Sequence, residues 1–204
     1  MRPRNFSLLI GFMILTSSKL LSNTPAPRKP PELTISEPSG KQTSLSSLRC
    51  KVVVIEFLFL NSEHCFRVAR TLNSLQGEMG TRGLQSIGVV FGPHSDEQHV
   101  VYTKDYLKLA YPLGFTTTAN VDTFLGRAGN EILNIPQVVV IDRAGTIRAS
   151  SGRRPGDPKL ENEEKLRDLI EALLKEEVPT ARTKKRGTPT TVPSGHSSPS
   201  PGAK

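Results

Sequence analysis

The stretch KVVVIEFLF, residues 51–59, constrains the fold more than any other part of the chain. It is β-branched and almost continuously apolar, so it offers no wet face. A strand of that kind belongs inside a sheet covered on both sides. The residues after it narrow the choice further. Ser62 stands where a helix N-cap belongs, and Phe66, Ala69, Leu72 and Leu75 continue at helical spacing. A buried strand running into a capped helix is a unit of an α/β sheet. Cys65 falls at the junction of the two.

The rest of the middle repeats this alternation. ELTIS reads as a short strand and EPSGKQTSLSSL as a turn-rich connection. GEMGTRG ends the first helix, LQSIGVVFG is a second buried strand, and SDEQHVVYTKDYLKLA opens with a helix-start signal. YPLGFTTTANVDTFLGRAG holds a short strand and a helix. QVVVID, RAG and TIRAS read as strand, tight turn and strand. The last segment is an amphipathic helix with Leu166, Leu169, Ile170, Leu173 and Leu174 on one face. The expected fold is α/β, a central mixed β-sheet with helices on both faces.

The formal charge of +8 raises the question of nucleic acid. Residues 1–31 and 178–204 each carry five Lys/Arg and no acid, whereas residues 32–177 carry 17 basic and 19 acidic residues. The basicity belongs to the ends, which argues against a nucleic-acid partner. Arg2 and Arg4 precede the apolar run FSLLIGFMIL, residues 6–15, and small residues come after it. The run is well below the ~20 residues of a spanning helix. Residues 1–18 therefore read as a signal sequence or an N-terminal anchor, with 6–21 as a candidate membrane tether. This predicts an exported protein, periplasmic or otherwise extracytoplasmic, with membrane anchoring left open. Residues 19–31 read as a Pro-rich spacer. Residues 178–204, rich in Pro, Ser and Thr, have the composition of a disordered basic tail.

Two longer motifs carry a family resemblance. LTISEPSGKQTSLSSLRCKVVVIEFLF resembles the opening of TlpA-like and AhpC/TSA-type redoxins, and IPQVVVIDRAGTIR resembles a later motif of the same family. The resemblance spans about residues 32–177. It implies a thioredoxin fold with an N-terminal β extension. It also implies thiol–disulfide exchange with protein thiols or disulfides, a place in redox homeostasis, and no cofactor. The family's C-x-x-C positions fall on Ser62 and Cys65. The first, nucleophilic cysteine is thus a serine, and only the resolving position keeps sulfur. Pro136 matches the family's cis-proline, so Ile135 and Pro136 would line the substrate groove. Glu56 matches a buried strand carboxylate, a candidate proton acceptor for Cys65. His64 matches the P-H-C variant, with Glu63 in the proline position. Cys50 occupies a position where the family usually has glycine.

Alternatives remain at several of these positions. Ser62-x-x-Cys65 also fits the [TS]-x-x-C pattern of peroxiredoxins, with Cys65 as a peroxidatic nucleophile and a peroxide as substrate. Against this, Leu58 stands where those enzymes have proline, and Pro136 where they generally carry arginine. A third reading is a non-catalytic thioredoxin-fold module that binds extended peptides. Glu56 could instead face a wet edge, and His64 could be an idle surface residue. Cys50 and Cys65 bracket an extended strand at ~3.3 Å per residue, which puts them over ~20 Å apart. A disulfide needs Cα atoms within about 7 Å, so none is expected between them. His64, His94, His99 and His196 show no metal-ligand spacing. Oligomeric state is not legible in the sequence.

Overall fold

The computed structural model describes residues 27–92, 95–128, 132–151 and 159–177. The expected signal or anchor, most of the spacer and the basic tail lie outside the described residues. In chain order the elements are β1 (Thr34–Ser36), β2 (Gln42–Ser44), β3 (Val52–Leu58), α1 (Glu63–Met79), β4 (Leu84–Val90) and α2 (Glu97–Leu107). They continue as β5 (Leu113–Phe115), α3 (Thr118–Leu125), β6 (Gln137–Ile141), β7 (Ile147–Ser150) and α4 (Glu163–Lys175).

The strands form one sheet in the order β2-β1-β5-β4-β3-β6-β7. β3 pairs parallel with β4 and antiparallel with β6, so the sheet is mixed. All seven residues of β3 are buried, as its unbroken apolar run requires. Alternate side chains serve two cores. Val52, Val54 and Leu58 pack with Leu72 of α1, Val100 of α2 and Ile170 of α4. Val53, Ile55 and Phe57 pack on the other face with Val121 and Phe124 of α3 and Ile35 of β1. The single-residue alternation of a strand produces this division.

Three helices therefore lie on one face of the sheet and α3 on the other. Polar side chains fasten the three-helix layer. Asn73 of α1 donates to the Lys108 carbonyl at 3.1 Å and accepts from the Ala110 N–H at 2.7 Å, just past α2. Arg167 of α4 pairs with Glu78 of α1 and with Glu163 one turn away. Each of the four α-helices among the described residues starts on a side-chain cap, from Ser62, Asp96, Thr117 and Asn162. These acceptors answer N–H groups left open by the first turn.

Two details depart from the sequence reading. The turn-rich connection contains β2, which pairs with β1 from Thr34↔Ser44 to Ser36↔Gln42. Three-residue strands give too little alternation to be read from composition. Residues 27–31, assigned to the spacer, are seated on the domain. Arg28 bridges to Ile147 and donates to the Phe124 carbonyl at 3.0 Å, and Lys29 donates to the Ala144 carbonyl at 2.5 Å. Prolines in this segment suit an edge that cannot extend the ladder.

Candidate redox site

The site forms where β3 ends and α1 begins. Ser62 is in extended conformation, and its Oγ accepts a long hydrogen bond from the Cys65 N–H at 3.4 Å. Glu63 in the first turn complements the helix dipole and pairs with Arg70 at 2.8 Å. Cys65 then points into the core and is 0% exposed. Burial pushes its thiol above the ordinary range. Hydrogen bonds from Ser62 and the Phe59 backbone pull it down by less, and a charge on Glu56 would push it further up. A helix N-terminus commonly favours thiolate, but here desolvation outweighs it. At neutral pH Cys65 is a thiol.

Glu56 sits in the middle of β3, in register with Gly88 on one side and Val138 on the other. It is 0% exposed, and neither carboxyl oxygen has a hydrogen-bond partner among the described residues. Burial holds its carboxyl well above the usual range and favours the protonated form. The wet-edge alternative is thereby overturned: Glu56 lies on the face of β3 covered by α1 and α4. Tyr111 is a further member of this buried group. Its hydroxyl donates to the Ala69 carbonyl at 3.2 Å, and burial first, then Glu56, raise its phenol. Nothing in YPLGF distinguishes Tyr111 from an ordinary core aromatic.

Pro136 is buried, and the Ile135–Pro136 bond is cis. Gln137, the next residue, pairs with Phe57, which sets Pro136 beside the end of β3 that leads to Ser62 and Cys65. Gln137 anchors this corner by donating to Ser150 Oγ at 3.0 Å and Ser151 Oγ at 3.2 Å. Sequence reasoning passed over it, although a glutamine opening an otherwise apolar strand was a visible signal. Ile135 is half-buried and touches both cores. His64 is exposed and is not among the groups acting on the Cys65 thiol. Its candidate role as thiolate stabiliser finds no contact here, because it projects from the outer side of the first helical turn.

Cys50 lies just before the other end of β3, exposed, and both cysteines are free thiols. Its φ of 69° is left-handed. Among the described residues no group of three His, Cys, Asp or Glu could hold a metal ion. Nor is any described helix long and apolar enough to cross a membrane.

A mixed sheet flanked by helices, with a cysteine in the first turn after its central strand and a cis-proline leading into the neighbouring strand, is a thioredoxin fold. The sequence model of the AhpC/TSA family matches residues 27–150. That is more than half of the chain, and the protein belongs to the AhpC/TSA family. Solved structures agree on the fold. A thioredoxin-family thiol:disulfide interchange protein from Chlorobium tepidum TLS is 19% identical with a TM-score of 0.60, covering 74% of this chain and 98% of that one. A Bacteroides thetaiotaomicron protein assigned as a disulfide isomerase is 27% identical with a TM-score of 0.59, covering 73% and 89%. A thiol:disulfide interchange protein from Bacteroides sp. is 18% identical with a TM-score of 0.60, covering 79% and 95%. No curated protein matches the chain.

Proposed function

We propose that this chain is a redoxin of the thiol–disulfide oxidoreductase kind whose dithiol exchange is silenced at Ser62. Exchange needs a thiolate to attack a disulfide and a second thiol to resolve the mixed disulfide. The serine hydroxyl cannot take the first role, and here it serves as a helix cap. The observation that carries the proposal is the state of the remaining sulfur: Cys65 is wholly buried and its thiol is pushed up. That state suits a resolving cysteine and does not suit an attacking one.

Other elements of the site are kept in this reading. Glu56 is the candidate proton acceptor for Cys65 only in its carboxylate form, which its burial disfavours. Ile135 and Pro136 form the groove wall for an extended protein substrate bearing thiols or disulfides. The same burial counts against peroxidase action, which also requires an accessible thiolate. With residues 1–18 read as a signal or anchor, the protein acts outside the cytoplasm, in a periplasmic or similar space. Residues 6–21 are the segment that would tether it.

The test is turnover by the purified protein with insulin disulfides and, separately, with hydrogen peroxide and a thiol reductant. The expected result in both is a rate no higher than that of Cys65→Ser. Turnover that depends on Cys65 and matches an intact dithiol thioredoxin overturns the proposal; Cys65-dependent peroxide consumption favours the peroxidase.

A further inference from the structure

Helix α2 carries an aromatic surface that the redox site does not use. Tyr102 is 70% exposed and Tyr106 58%. One helical turn apart, their rings stack with centroids 6.1 Å apart and planes within 6°. Tyr106 also contacts Phe66 of α1, centroid to centroid 6.3 Å, so an aromatic track runs from the residue after Cys65 out along α2. Beside the track lies a shallow depression of about 600 Å³ lined by Glu97, Gln98, Val101, Tyr102 and Asp105. Both of its charged residues are acids. Val101 adds exposed apolar surface at 43%. Stacked tyrosines with an acidic flank have the chemistry that receives proline-rich, basic segments, since a polyproline II chain presents rigid rings at little entropic cost.

The chain itself carries such a segment. The 27 residues after Glu177 hold five prolines and five Lys/Arg with no acid. Lys184, Lys185 and Arg186 form its basic run, with Pro189 and Pro193 beyond it. We propose that residues 182–193 dock on the α2 surface, prolines against Tyr102 and Tyr106 and the basic run against Glu97 and Asp105. Reach permits it. α4, α1 and α2 lie side by side on one face, so α4 and α2 are separated by two interhelical spacings of about 8–10 Å each. Glu176 is tied through Arg143 to Arg82, past the end of α1 opposite Phe66, so the tail must also run about 20 Å along α1. Arg186, nine residues beyond Glu177, extends about 30 Å and Pro189 about 40 Å at ~3.3 Å per residue. Charge complementarity favours this occupant over a second copy of the folded domain, which has 17 basic and 19 acidic residues over 32–177. The inference is independent of whether Cys65 is active.

Limited trypsinolysis of the full-length protein, followed by mass spectrometry, tests it at the tail's own Lys and Arg residues. If the docked state holds nine molecules in ten, cleavage after Lys184, Lys185 and Arg186 accelerates about tenfold once docking is lost. That acceleration is expected in Tyr102→Ala/Tyr106→Ala and, with the aromatic surface intact, in Glu97→Gln/Asp105→Asn. All four side chains are at the surface, and a thermal melt of each variant checks that the domain is retained. Protection should not change with protein concentration. Equal cleavage rates in the wild type and in either double variant overturn the proposal. Protection that fades on dilution also overturns it, because the occupant is then a second molecule.

Discussion

Glu56 fixes the direction in which stability depends on pH. An unfolded glutamate loses its proton near pH ~4.3. In the folded protein burial holds the carboxyl protonated to well above that. Below the ordinary value both states are protonated and folding carries no penalty from this group. As pH rises beyond it the unfolded state ionises first, so stability falls until pH passes the raised folded value. The slope from this one residue is at most about 1.4 kcal/mol per pH unit. Glu56→Gln removes it, and the melting-temperature advantage of the variant over wild type should widen between pH 5 and pH 8. A constant difference across that range contradicts the assignment. Cys50 makes a second residue-scale prediction. A non-glycine residue at φ 69° costs about 1–2 kcal/mol of backbone strain. Cys50→Gly should raise the unfolding free energy read from urea denaturation by an amount of that order, less the added freedom of the unfolded glycine.

At the scale of elements, β3, β4 and β5 pack so closely that side-chain size is set strand by strand. Gly88 lies opposite Glu56, and a Cβ there would collide with Leu113 Cδ1. Gly88→Ala should destabilise by about 1–3 kcal/mol, read from chemical denaturation. Gly114 is held by its neighbour strand in the same way, since a Cβ there would stand 2.7 Å from the Ser36 carbonyl oxygen. The long elements were legible in the sequence because their periodicity is unambiguous: KVVVIEFLF is β3 within a residue at each end, and Ser62 is the cap of α1. The short ones were not. β2 pairs through only three residues, and its place depends on β1 across a turn. The same limit applied to the site. Ser62, Cys65 and Pro136 could be located from local motifs, and the Ile135–Pro136 bond is cis. The burial of Glu56 could not, because an acid within an apolar run has two faces to choose from and tertiary packing makes the choice. Tyr111 and Gln137 reach the site from other parts of the chain, so no local pattern marked them.

For the whole molecule the central claim is that one substitution in an otherwise complete thioredoxin scaffold removes the chemistry. The scaffold supplies a capped helix start, a buried thiol, a buried carboxyl on the same face of the sheet and a cis-proline at the neighbouring strand end. What it lacks is sulfur at the first position of the pair, where a thiol would sit at the helix N-terminus with partial exposure. There the dipole lowers a thiol's pKa without the full desolvation that Cys65 suffers. The most direct measurement is the rate of insulin disulfide reduction by Ser62→Cys beside wild type, with Cys65→Ser in the same background as control. The account predicts that Ser62→Cys gains turnover, that the gain needs Cys65, and that the oxidised variant contains a disulfide between the introduced thiol and Cys65. A variant that forms no such disulfide and stays as inactive as wild type would contradict it.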